Sequence, residues 1–163
     1  MRENLFSLAY IIVIMILSHL VGERLPRRWF HWASPPFASF GFERDGDIYD
    51  RIHIKKWKKK LPDLSRLNRR MVPKRVTFRA SAAEIERLLR ELCVAETVHI
   101  ALYFLSFGVL LIGRTWFCIA LCVLYALGNI PFILIQRYNR PHIARLLARV
   151  TEAEEMQKKQ TNP

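Results

Sequence analysis

Two side chains in this sequence have the types and spacing for proton chemistry: Glu96 and His99, just inside the apolar run from Ala95 to Ile112. On a helix that spacing puts both on one face, where the carboxylate can orient the imidazole and raise its basicity. Ionisable groups within a membrane helix are costly, so they point to a functional site. The competing reading is an interfacial hydrogen-bonded pair that merely positions the helices, since both side chains can snorkel to the headgroup layer.

The elements that position these residues form a hairpin. Residues 95–112 and 115–135 are joined only by Gly113 and Arg114, a link too short for anything but two antiparallel neighbouring helices. Folding about that turn sets His99 level with Gly128 and Asn129, Glu96 with Pro131, and Glu91 with Gln136. Asn129 is then a third polar group at the depth of the first two. Pro131 removes a backbone donor and frees a carbonyl near residue 127, which membrane helices tolerate best beside a partner or a cavity. Glu91 reaches the membrane surface near Arg137, where an ion pair is expected.

A further apolar segment, Leu5 to Val21, extends about 26 Å as a helix and can span the bilayer with its flanks. It reads as an anchor rather than a signal peptide: Arg2 is followed by Glu3, no small-x-small site follows, and Glu23-Arg-Leu-Pro-Arg-Arg resembles a stop-transfer flank. The 163 residues are 52% apolar with a net charge of +12, which suits a small integral membrane protein and not a soluble domain. Of 26 Lys and Arg residues, 18 lie between the first span and the hairpin and 6 follow it. The positive-inside rule then places the N-terminus outside, the C-terminus in the cytoplasm, and Glu96, His99 and Asn129 at the cytoplasmic end of the hairpin. The expected fold is an all-α integral membrane protein forming a single membrane domain over 1–163. Its transmembrane helices are 5–21, 95–112 and 115–135, with a basic cytoplasmic or interfacial segment 22–94 and an amphipathic tail 136–163.

Within residues 22–94, the aromatic stretch Trp29 to Phe42 is broken by Pro35 and Pro36 and is too short to span, so it reads as interfacial or re-entrant. Lys55, Lys56, Lys58, Lys59 and Lys60 surround Trp57. They suit either attraction to anionic lipid or a site for a phosphate-bearing donor. Pro62 and Pro73 mark a linker. Ser81-Ala-Ala-Glu84 is a capping box opening an amphipathic helix with Ile85, Leu88, Leu89 and Leu92 on one side, leading directly into the second span. After the last span, Asn139 and Pro141 read as the cap and start of a tail helix with Ile143, Leu146, Leu147 and Val150 as its apolar stripe. Arg137 and Arg140 suit either anchoring or binding of a phosphate or carboxylate. Cys93, Cys118 and Cys122 have no metal or disulfide spacing and read as buried thiols. A di-iron reading of Glu96-x-x-His99 fails, because it needs a second such motif and further carboxylates.

Taken together, Ile54-Lys-Lys-Trp-Lys-Lys-Lys-Leu, Glu91-x3-Ala95-Glu96-x2-His99, and Asn129-x-Pro131 followed by Gln136-Arg-Tyr-Asn-Arg-Pro141 resemble the glycosyl-4,4′-diaponeurosporenoate acyltransferase family of staphyloxanthin-type carotenoid synthesis. The likeness runs from about Phe40 to Leu147, with Ile100 in place of the Trp expected after the His. It implies a membrane enzyme that esterifies a sugar hydroxyl of a glycosylated carotenoid acid, or a similar glycolipid, with a fatty acyl group. On that resemblance His99 is the general base, Glu96 fixes its tautomer and stabilises the imidazolium, and Asn129 aligns the hydroxyl or donates to the oxyanion. Lys56, Trp57, Lys58, Arg137, Tyr138, Asn139 and Arg140 are the matching residues for donor and substrate binding. No Ser or Cys nucleophile lies at that depth, so direct transfer from acyl-CoA or another activated donor is expected, with no cofactor and no metal. Expected partners are membrane lipid, the glycolipid acceptor and the acyl donor. Nucleic acid is not one, for no nucleic-acid module is present. The alternative function class is a non-enzymatic lipid-binding or scaffolding membrane subunit.

Overall fold

A computed structural model of the chain describes residues 1–58 and 80–161. Lys59, Lys60 and the linker containing Pro62 and Pro73 lie outside the described residues. Among the described residues every regular element is helical: α1 (Arg2–Arg24), α2 (Ile48–Arg51), α3 (Ile54–Trp57), α4 (Ala82–Leu105), α5 (Val109–Ile112) and α6 (Trp116–Thr161), with short 3₁₀ turns between them. Three helical stretches are long and apolar enough to cross a membrane, and they contain residues 5–21, 95–112 and 116–135. The chain divides into two compact units, Met1–Pro26 with Val94–Leu134, and Arg27–Cys93 with Ile135–Pro163.

In the first unit α1 packs on the hairpin. Ile11 and Ile14 of α1, Leu102 of α4, Val109 of α5, and Cys118 and Cys122 of α6 form its buried core, so both hairpin cysteines are buried free thiols, as expected, with the Cys118 sulfur also hydrogen-bonded to Ser7 Oγ at 3.3 Å. Many remaining apolar side chains point outward, among them Phe6, Leu17, Phe104, Leu111 and Leu124. That outward face is suited to lipid rather than water. Close approach depends on glycine: a Cβ on Gly22 would lie 2.9 Å from Val98 Cγ2, and one on Gly108 would lie 2.3 Å from Tyr10 Oη. The same tyrosine explains why α4 stops. Its hydroxyl donates to the Leu105 carbonyl at 2.9 Å, while the Val109 N–H turns back to Ser106 O, and the helix tightens into a 3₁₀ turn before α5. Gly113 is extended and ends α5. Thr115 Oγ1 then accepts from the Cys118 N–H at 3.3 Å and caps α6.

In the second unit the N-terminal turns of α4 begin at the expected capping box: the Ser81 N–H donates to Glu84 Oε2 at 2.9 Å and the Glu84 N–H to Ser81 Oγ at 3.4 Å. Glu154 Oε1 satisfies the Ala82 N–H, another donor that a helix start leaves open. Ile85, Leu88, Leu89 and Leu92 are all buried, as the amphipathic pattern requires. Residues 31–40 are irregular, with Phe30 against Phe37 at 5.7 Å between ring centroids. They contain no helix, so this stretch is a strap of aromatic and proline residues.

Two expectations are corrected here. The Asn139-Arg-Pro141 sequence does not start a separate helix: α6 runs through it for 46 residues. The capping group is taken, since Asn139 Oδ1 accepts from Lys58 Nζ at 3.0 Å. Pro141 costs α6 one backbone bond, at the Arg137 carbonyl, and side-chain ties from this turn to the strap offset it. At ~1.5 Å per residue α6 is ~69 Å long, over twice the ~30 Å hydrocarbon layer, so much of it extends beyond a span. The expected Glu91–Arg137 pair is also replaced. Arg27 Nε and Nη2 bind Glu91 Oε1 and Oε2, each at 2.9 Å, and Arg137 pairs with Glu43. A planar guanidinium gains most from a two-point match to a carboxylate, and both arginines find one on other partners.

Candidate functional site

In the hairpin, His99 Nδ1 lies 2.9 Å from Asn129 Oδ1, the contact implied by counting back from the turn. The asparagine's orientation follows from its other bond, because Asn129 Nδ2 donates to the Tyr125 carbonyl at 2.8 Å. Its oxygen therefore faces the imidazole, and Nδ1–H must be the donor. A neutral His99 then carries its lone pair on Nε2, the form a general base requires. Phe132 stacks on the ring, with centroids 4.7 Å apart and planes 10° apart. Asn129 and Glu96 are buried and His99 is partly so. Glu96 shares the α4 face of His99 one turn earlier. Asn129 thus holds Nδ1 from the opposite helix.

The second unit holds the other sequence candidates, and it brings three of them together. Lys58 Nζ donates to Asn139 Oδ1 and also lies 4.4 Å from the Tyr138 ring centroid. Tyr138 is buried, and the Lys55 ammonium is held above its ordinary value by its hydrogen bond to Asp50 first and then by Tyr138. Lys56 is exposed on α3, and Trp57 donates its indole N–H to Ile52 O at 2.9 Å.

Arg137 and Arg140 hold the strap. Arg137 Nη2 donates to Glu43 Oε2 at 3.0 Å and to Ala38 O, and its Nη1 donates to Pro36 O. Its guanidinium carbon lies 4.5 Å from the Phe40 ring centroid. Arg140 Nη1 donates to Phe37 O. Glu43 is almost fully buried, yet its carboxyl stays below the usual range. Burial alone would raise it, but hydrogen bonds from Arg137, Tyr49 and the Phe40 N–H together outweigh the desolvation. Burial and the same carboxylate push the Tyr49 hydroxyl upward.

A family model described as glycosyl-4,4′-diaponeurosporenoate acyltransferase matches residues 26–149. The chain belongs to that family. Among its relatives are two glycosyl-4,4′-diaponeurosporenoate acyltransferases of Staphylococcus aureus, from strains bovine RF122 / ET3-1 and MRSA252. Each is 31% identical to it, over 147 and 144 residues respectively, covering 86% of this chain and 85% of the relative. No solved structure matches. The match begins well before Phe40, so it takes in the strap. Membership makes the chain an acyltransferase.

For a glycosyl-4,4′-diaponeurosporenoate acyltransferase family member, the residues that sequence reasoning missed are Glu43, Tyr49 and Phe132. Glu43 and Tyr49 sit in a stretch with neither helical nor strand periodicity, and no spacing rule links them to Arg137, ninety-four positions beyond Glu43. Phe132 was in reach: three residues beyond Asn129, it shares that residue's face of α6.

Proposed function

We propose that this chain transfers a fatty acyl group to a sugar hydroxyl of a glycosylated carotenoid acid or a closely similar glycolipid, with His99 as general base. The relatives' names carry the substrate class. The observation that supports the base is the His99–Asn129–Tyr125 chain of hydrogen bonds, which leaves Nε2 as the ring's proton acceptor.

In the proposed step Nε2 takes the hydroxyl proton as the sugar oxygen attacks the acyl carbonyl. The tetrahedral intermediate then collapses, the bond to the donor's leaving atom breaks, and the imidazolium returns its proton to that atom. Glu96 stabilises the imidazolium, and the second Nδ2 proton of Asn129 is available to the hydroxyl or the oxyanion. Lys56, Trp57, Lys58, Arg137, Tyr138, Asn139 and Arg140 serve substrate and donor binding. The donor is acyl-CoA or another activated acyl compound. The chain sits in the cell membrane with its N-terminus outside and C-terminus in the cytoplasm, a reading supported by the charge asymmetry of the sequence, and the donor comes from the cytosol or inner leaflet.

The test is reconstitution of the full chain in lipid vesicles with a glycosylated carotenoid acid, supplying labelled acyl-CoA in one arm and labelled phospholipid in another. Labelled ester in either arm is the expected result and names the donor. Its absence from both, in vesicles where the chain is folded, contradicts the reading.

A further inference from the structure

The strap and α6 flank an open pocket of about 460 Å³ in the second unit. One side is formed by Trp32, Phe37 and Ser39 of the strap together with Asp45, and the other by Arg140, Ala144 and Arg145 of α6. Its charges sort into two sets. Arg137 and Glu43, also in its lining, are bound to each other and neutralise one another. The other charged side chains of the lining are Arg140, which donates to Phe37 O, Arg145 and Asp45, a net positive charge. Arg145 is exposed and makes no hydrogen bond or ion pair among the described residues. An arginine fork directed at no protein carboxylate is suited to a phosphate, which it meets in two-point geometry. Apolar side chains line the same space, so the ligand has an apolar portion next to its anion.

We propose that this cavity holds the phosphate of an amphiphilic acyl donor, with Arg145 as the principal cationic contact, Arg140 beside it, and Trp32 and Phe37 against the adjoining apolar portion. Calling the ligand a donor rests on the acyl-transfer reading above. Phosphate binding itself does not. The shared chemistry is a phosphate ester, carried either by a phospholipid headgroup or by a soluble acyl thioester of the coenzyme A type.

The experiment is calorimetric titration of the full chain in detergent micelles with two probes, coenzyme A and a short-chain phosphatidylglycerol. It compares the parent with Arg145→Gln and Asp45→Asn. Both positions are exposed, so the variants are expected to fold. At least one probe should bind the parent. Arg145→Gln should weaken that binding about tenfold, the order expected for a charge-assisted hydrogen bond. Asp45→Asn should strengthen it, because it removes the opposing charge. Binding of neither probe, or equal binding by the parent and Arg145→Gln, overturns the proposal. Ester formation with an unchanged donor KM in Arg145→Gln also overturns it while leaving the acyl-transfer reading intact. Arg145-dependent binding without ester formation does the reverse.

Discussion

Asn129 holds the δ1 nitrogen of His99 from the opposite helix of the hairpin, at 2.9 Å and thirty residues away in sequence. A side-chain amide fixed by its own helix thereby sets which imidazole nitrogen is basic. Replacing Asn129 with Ala should lower kcat by about 10²-fold and leave KM near its parent value, because the substitution releases the ring and removes a donor that acts on the reacting hydroxyl or oxyanion in the transition state. Steady-state kinetics in vesicles check this. A change confined to KM would assign Asn129 to substrate binding instead.

The Glu43–Arg137 pair should contribute more to stability than any contact Arg137 or Arg140 makes to the strap. Its side chains are 3% and 12% exposed, and removing one member of a buried pair typically costs about 3–5 kcal/mol because the other charge is left unmatched. Arg137→Ala should therefore destabilise strongly, and pairing it with Glu43→Gln should recover part of the loss. A double-mutant cycle by denaturation reads the coupling.

The same cluster sets a pH window. Glu43 is lowered from 4.5, so its stabilisation is full above that value and disappears as pH falls through the lower folded value. Tyr49 is raised from 10.0, so its contribution is full below that value and is lost as pH rises through the higher folded value. Melting temperature against pH should show an acid limb that Glu43→Gln lacks and an alkaline limb that Tyr49→Phe lacks.

Gly108→Ala tests how α1 meets the hairpin. The added methyl would lie 2.3 Å from the Tyr10 hydroxyl, so it must displace the bond to Leu105 O. A loss of about 1–3 kcal/mol is expected, as for overpacking in other cores. Combining it with Tyr10→Phe should restore part of the loss, and thermal melts in one detergent provide the comparison.

Much of this arrangement is legible in the residues alone, for a physical reason. A two-residue turn and a rise of ~1.5 Å per residue leave little freedom in an antiparallel helix pair, so His99 could be set beside Asn129 by counting. Ser81 and Glu84 carry their own local signal, and so does the buried stripe from Ile85 to Leu92. The strap has no such arithmetic. Glu43 and Tyr49 are brought to Arg137 by the irregular backbone between them, with Arg44 and Asp45 at positive φ, a conformation that side-chain type does not announce. Asn139 and Pro141 misled because asparagine before proline fits a helix start equally well. The competitor that decided the matter, Lys58, comes from far along the chain. The exchange of partners by Glu91 and Arg137 has the same origin, since Arg27 and Glu43 both lie in stretches without periodicity.

In the proposed step His99 removes the proton of the attacking hydroxyl. The most direct measurement is the single-turnover rate of labelled ester formation by the parent and by a folded His99→Ala variant, with donor and acceptor both saturating. General-base catalysis predicts a rate about 10²–10⁴-fold lower in the variant, with binding of both substrates retained. Equal rates from the two proteins would remove His99 from the proton transfer.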